Sequence, residues 1–185
     1  MLPPIPSWDG LHPLIVHFPI ALLLVVPILI VMGLLMPNKS RAILITAFVV
    51  MLLGTIAAYV AVSTGEAAGE LADRVSGVEQ VLEQHEDLAE TTRTIFTALT
   101  AIFAAILFAP SLFKKTLSHR ITVAVNAAFL LFYLAGSVVL INTAHNGGRL
   151  VHEFGVRAVM SGGGGSGNAP QNNVEPRKSG DDDDN

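Results

Sequence analysis

Leu11-His12-Pro13-Leu14-Ile15-Val16-His17-Phe18-Pro19 opens an apolar run that continues to Met36 and ends at Pro37-Asn38. The run exceeds the ~20 residues that carry a helix across a bilayer core. Nothing basic precedes it and it is too long for the core of a secretory signal, so a retained span is expected. Pro13 suits a first helical turn. Pro19 sits deeper and strands a backbone carbonyl one turn earlier, which predicts a kink near His17.

Working outward, three more runs of this kind follow, at about 42–63, 94–113 and 121–145. Apolar residues make up 51% of the chain and charged residues 14%, a balance that excludes an ordinary soluble domain. The expected fold is all-α: an integral membrane four-helix bundle over residues 1–160. Trp8 and three prolines precede the first span, as in a segment resting at the membrane surface. In the second span Gly54 and Ala57-Ala58 offer a close helix contact. There is no cysteine, which excludes disulfides, thiolate ligands and covalently attached c-type haem.

Thr64 to Thr92 has the pattern of a soluble helix placed before the third span. Leu71, Val75, Val78, Leu82, His85 and Ala89 recur at alternating steps of four and three, while Glu79, Glu83, Glu86 and Glu90 fall elsewhere on the wheel. His85 therefore lies on the apolar stripe. Gly147-Gly148 reads as a glycine cap ending the fourth span. Residues 161–185, a glycine run followed by a polar stretch closing on Asp181 to Asp184, cannot bury a core and are expected to be a disordered tail. No internal repeat is evident beyond the alternation of spans and turns.

Charge sets the expected topology. The two short turns hold Lys39, Arg41, Lys114, Lys115 and Arg120 and no acid. Both should be cytoplasmic, which leaves both termini and every carboxylate outside, in the periplasm of a bacterium whose inner membrane holds the chain. Counting about 20 residues of ~1.5 Å rise outward from each basic turn puts His17 at the outer boundary, His12, Glu66 and His145 about 7 Å beyond it, and His85 about 13 Å beyond it.

Ionisable groups at such a depth need a partner or a ligand, so this layer is the expected site. His17, inside a span and at a helix start that favours neutral imidazole, is the leading ligand candidate, with a partner to come from another helix. His12 either joins it or caps the helix. His85 is a ligand or a satisfied buried histidine, and His145 a ligand or a cation at a helix C-terminus. Glu66 and Glu70, one turn apart, either support a histidine or bound cation or belong to a solvated face; Glu86 and His152 are further contributors of the same kind. His119, beside Arg120 on a cytoplasmic turn, is given no role.

There is no phosphate-binding glycine loop, no nucleophile in a recognisable setting, no zincin helix and no di-iron Glu-x-x-His pair. What remains suits haem b between histidines of different helices, or a Zn, Cu or Fe ion held by His and Glu. The fifteen acids, placed outside, disfavour nucleic acid and favour a basic soluble partner such as a cytochrome.

The opening His12-Pro13-Leu14-Ile15-Val16-His17-Phe18-Pro19-Ile20-Ala21, with Thr64-Gly65-Glu66, His85-Glu86 and Gly147-Gly148-Arg149-Leu150-Val151, resembles the bacterial domain-of-unknown-function 2231 family across Leu11 to Val159. The resemblance implies a four-helix membrane domain. Some members are joined to c-type cytochrome domains, which implies electron transfer, with bound haem. One departure stands out: members often carry a histidine just before the glycine that follows the Leu-Val pair, where this chain has Phe154, with His152 two residues earlier. The expected function is a membrane-anchored electron-transfer protein with a haem or metal site at its outer face. The alternative is a non-catalytic accessory subunit of a larger respiratory or photosynthetic membrane complex. An ion or solute transporter fits less well, because no charged residue lies near the middle of any span.

Overall fold

The computed structural model describes residues 7–72, 75–114 and 118–156. Lys115 and the glycine-rich and acidic tail fall outside them. A short 3-10 turn, Asp9–Leu11, leads into α1 (His12–Ile15), α2 (His17–Leu35), α3 (Ser40–Ala72), α4 (Glu79–Leu112) and α5 (His119–His152). The first two form one bent unit, interrupted at Val16. Pro19 has no N–H to offer the carbonyl of Ile15, so the interruption falls where the kink is expected.

With α1 and α2 counted as one, four helices are long and apolar enough to cross a bilayer. Their outward faces are apolar as well: Phe132, Leu131, Val138 and Ile28 are among the most exposed side chains. A bundle that is apolar both inside and outside is solvated by lipid. α2 packs on α3, α3 on α4, α4 on α5 and α5 back on α2, so α2 lies diagonal to α4 and α3 to α5. The central core joins Leu23, Ile30, Met51, Phe96, Phe103, Phe129 and Tyr133. Pro27, inside α2, leaves the carbonyl of Leu23 without its helical donor. The hydroxyl of Tyr133 on α5 donates to that carbonyl at 2.8 Å.

Two features differ from the sequence reading. The amphipathic stretch 64–92 is not one helix: Thr64 to Ala72 finish α3, the chain reverses through Gly77 at φ +86°, and α4 starts at Glu79. The stripe survives the break, because Val75 and Val78 of the turn pack with Ala72, Val81, Leu82 and Leu150 in a small core at the end of the bundle. The second difference is that α5 does not stop at Gly147-Gly148. It runs through both glycines to His152, and the left-handed glycine is Gly155 at φ +68°.

The structure also contains a repeat. Pro19, Leu23, Val26 and Ile30 are the buried positions of α2 down to mid-membrane, and the same steps from His85 of α4 reach Thr92, Phe96, Leu99 and Phe103, all buried. In α3 the buried Ala47, Met51, Gly54, Thr55, Ala58 and Ala61 match Phe129, Tyr133, Gly136, Ser137, Leu140 and Thr143 of α5, again step for step. The molecule is two copies of one hairpin plan, α1–α3 and α4–α5. Almost every matched core position differs in residue type. His12 and His85, Gly54 and Gly136, and Gly65 and Gly147 keep theirs.

Gly54 and Gly136 have the same task in the two hairpins. A Cβ at 54 would come within 2.8 Å of Leu23, and one at 136 within 3.0 Å of Ile95. Each glycine lets the two helices of its hairpin touch backbone to side chain.

Tyr133→Phe, which strands the Leu23 carbonyl in the core, is expected to cost about 1–2 kcal/mol of stability. Reversible unfolding in detergent measures it; no loss would mean that another donor reaches the carbonyl.

Candidate functional site

The other two conserved pairs of the repeat, His12 with His85 and Gly65 with Gly147, meet at one end of the bundle. His12 begins α1, and its ring Nδ1 lies 2.9 Å from the carbonyl oxygen of Ala61 and 3.2 Å from Thr64 Oγ1, both on α3. His85, near the start of α4, places its Nδ1 3.0 Å from the carbonyl oxygen of Thr143 on α5. A carbonyl only accepts, so Nδ1 carries the proton in both rings, and in the neutral imidazole Nε2 keeps its lone pair. Thr64 gives its own hydrogen to the carbonyl of Val60 or Ala61, which leaves Oγ1 as an acceptor for His12.

Each ring lies against a glycine one helical turn beyond the carbonyl that it binds. A Cβ at residue 65 would come 2.9 Å from Cε1 of His12, and one at residue 147 would come 2.9 Å from Cε1 of His85. Real Cβ atoms essentially never come this close, so a side chain at either position would force the ring to shift, and glycine lets the imidazole lie against the helix backbone. The two half-buried rings face each other across the bundle from diagonal helices, with centroids 6.4 Å apart and planes at 79°.

Buried threonines brace the pair. Thr143 gives its hydroxyl hydrogen to the carbonyl of Leu88 or Val139, at 3.1 and 2.9 Å, and accepts from Thr92 at 2.8 Å. This ties the α5 turn that holds His85 back onto α4. Trp8 Nε1 donates to the carbonyl of Ser63 at 3.3 Å, which fastens the segment before His12 to the end of α3. The exposed Glu86 carboxylate lies against Gly69, where an added Cβ would come 2.5 Å from its Oε1 and displace it. The small core of Val78, Leu82 and Leu150 closes over the end of the second hairpin.

The structure thus brings together His12 and His85, while Glu86, exposed on α4, lies against Gly69 of α3. His17 is exposed and turned away, because five residues of helix rotate it well past the face that carries His12. His145 and His152 are also exposed, as are Glu66 and Glu70. Among the described residues no group of three or more His, Cys, Asp or Glu side chains is placed to share a metal ion. The sequence reading gave Ala61, Thr143 and Gly65 no part in the site and read Gly147 as a helix cap. The backbone acceptors have no sequence signature, but the equal step from Gly54 to Gly65 and from Gly136 to Gly147 is legible in it.

A family model described as a predicted membrane protein, DUF2231, matches residues 9–160. The chain belongs to that family. The match takes in both hairpins, both histidines and both glycines of this DUF2231 domain. No curated protein and no solved structure matches it.

The two adjacent glycines of the DUF2231 domain allow a direct test of the imidazole contact. Alanine in place of glycine inside a helix ordinarily stabilises by roughly 1 kcal/mol. Gly148, with nothing within 4 Å of an added Cβ, should show that gain as Gly148→Ala. Gly147→Ala should instead destabilise and release the His85 Nδ1 proton to fast solvent exchange, read by NMR. Equal gains from both variants would disprove the contact.

Proposed function

We propose that this DUF2231 domain is an electron-transfer protein of the bacterial inner membrane that holds one haem b between His12 and His85 at the periplasmic end of its bundle. The carrying observation is the spacing of the two rings. A metal bound 2.0–2.1 Å from an imidazole nitrogen lies about 3.2 Å from the ring centroid, so two trans imidazoles have centroids about 6.4 Å apart and a tetrahedral pair about 5 Å. The 6.4 Å between His12 and His85 matches the separation the rings would have if they held one metal from opposite sides.

The donor set supports the same reading. His12 and His85, two neutral imidazoles from different helices with Nδ1–H committed to backbone carbonyls, would hold such a haem through their free nitrogens. A free Zn, Cu or Fe ion would need further protein ligands, and among the described residues no carboxylates are clustered with the pair to supply them. The haem supplies one-electron chemistry. The chain's part is to orient the imidazoles through Ala61 and Thr143, to raise their basicity through the same bonds, and to exclude water with the small core above α4. The acid-free basic turns favour an orientation with this end and both termini in the periplasm. The exposed acids Glu79, Glu83 and Glu90 at this end suit a basic soluble redox partner, with binding that weakens as salt rises.

The protein purified from its own membrane should show a Soret band that sharpens and shifts on reduction. His12→Ala and His85→Ala should each abolish it; His17→Ala and His145→Ala should leave it. The ferric form should give the highly anisotropic low-spin EPR signal of crossed imidazole planes, given the 79° between the rings. Colourless protein with an intact fold would sink the proposal. If such protein came away in fixed ratio with larger membrane subunits, the accessory-subunit reading would take its place.

A further inference from the structure

Away from the histidine pair, the lipid-facing seam between α3 and α4 carries a lengthwise groove of ≈ 310 Å³. Its floor is made of small side chains, Thr100, Ala101 and Ala104 of α4. Thr55 of α3 lies beside them and is turned inward by its 2.8 Å hydrogen bond to Thr100. Thr100 gives its own hydrogen to the carbonyl of Phe96, so the floor presents methyl groups rather than free hydroxyls. At the basic-turn end Phe48 lines the groove and meets Phe108 edge to face at 5.4 Å.

The other end is polar and rigid. Thr97 donates to the carbonyl of Arg93, so the Tyr59 hydroxyl donates to Thr97 Oγ1, at 3.1 Å. This chain of bonds fixes the Tyr59 ring, and the Arg93 guanidinium sits over its face, 5.5 Å from the centroid. Arg93 is two helical turns below His85 on α4, at the expected start of the third span. A positive charge is therefore held at headgroup depth, directly above an apolar slot that runs into the bilayer. Its contact with Glu90, 3.7 Å away and exposed, is an ordinary surface pair that leaves donors of the guanidinium fork available.

We propose that this groove binds an anionic phospholipid, with the phosphate on Arg93, which the fixed Tyr59 ring positions, and one acyl chain along Thr100, Ala101 and Ala104. A phosphate matches the planar fork of arginine, and an unbranched chain matches a slot floored by small residues and closed by an aromatic pair. The proposal does not depend on the histidine site.

Native mass spectrometry of the full chain, offered equal phosphatidylglycerol and phosphatidylcholine of the same acyl length, tests it. One phosphatidylglycerol per chain should be retained in preference. Arg93→Gln should weaken that retention about fivefold, the factor equivalent to ~1 kcal/mol for one basic side chain at an anionic surface. Ala104→Phe, which fills the slot and leaves the charge, should also displace the bound lipid, with the unfolding midpoint checked in both variants. Equal retention of the two lipids by the wild-type protein, or undiminished phosphatidylglycerol on Arg93→Gln, overturns the proposal. So does displacement of the lipid by an uncharged quinone that Arg93→Gln binds as well as the wild type does.

Discussion

The structure depends on one repeated contact: an imidazole laid against a glycine, with its Nδ1–H given to the helix carbonyl one turn before that glycine. A buried imidazole N–H without a partner costs on the order of 1–3 kcal/mol, and a lipid-solvated bundle has little water to satisfy it. The remedy here is the backbone of the neighbouring helix, yet a carbonyl inside a helix is ordinarily screened by the side chain of the next turn. Removing that side chain opens the approach. The contact therefore settles a glycine at 65 and at 147, a histidine at the start of each hairpin, and the distance at which α1 meets α3 and α4 meets α5. Because Nδ1 is committed in both rings, the remaining nitrogen of each is the one left to act.

The two hairpins share this plan and differ in what fills it. Where the first has Leu23, Ile30, Ala47 and Met51, the second has Phe96, Phe103, Phe129 and Tyr133. Aromatic rings from one half pack into the space left by the smaller side chains of the other. Phe103 stacks on Phe129 at 4.7 Å, and Phe96 meets Tyr133 edge to face at 5.3 Å. Tyr133 then reaches across to the carbonyl that Pro27 leaves open in α2. The asymmetry fills the core; the symmetry is confined to the glycines that set helix contacts and to the histidines.

Much of the fold was legible because length and charge report it directly. Four apolar runs and two acid-free basic turns specify four antiparallel spans, and Pro19 marks the bend. The site was legible only in part. Depth, counted along each span, brought His12 and His85 to one layer, but depth says nothing of rotation. His17 sits near that height on the exposed face, whereas His85 could be placed because its own stripe gave a phase. Gly147 was read as a cap because a glycine admitting an imidazole and a glycine ending a helix look alike in one sequence. The repeat stayed hidden because its halves share spacing and burial, with almost no residue identity.

The passage of α5 through Gly147-Gly148 then becomes a question of magnitudes. Two glycines in a helix interior cost about 1 kcal/mol each relative to alanine, enough to stop a helix that gains nothing by continuing. Continuing carries Leu150 into the small core with Val78 and Leu82, and burying a leucine is worth about 1.5–3 kcal/mol. The His85 bond to Thr143 is made before the glycines and does not enter the balance. The exposed pair of Arg149 with Glu153 adds only a few tenths. The favourable terms match or exceed the cost, so the helix continues, and the opening made for the imidazole is sealed from above by the residues that follow it. A cap at Gly147 would have left His85 with its carbonyl partner but without its cover.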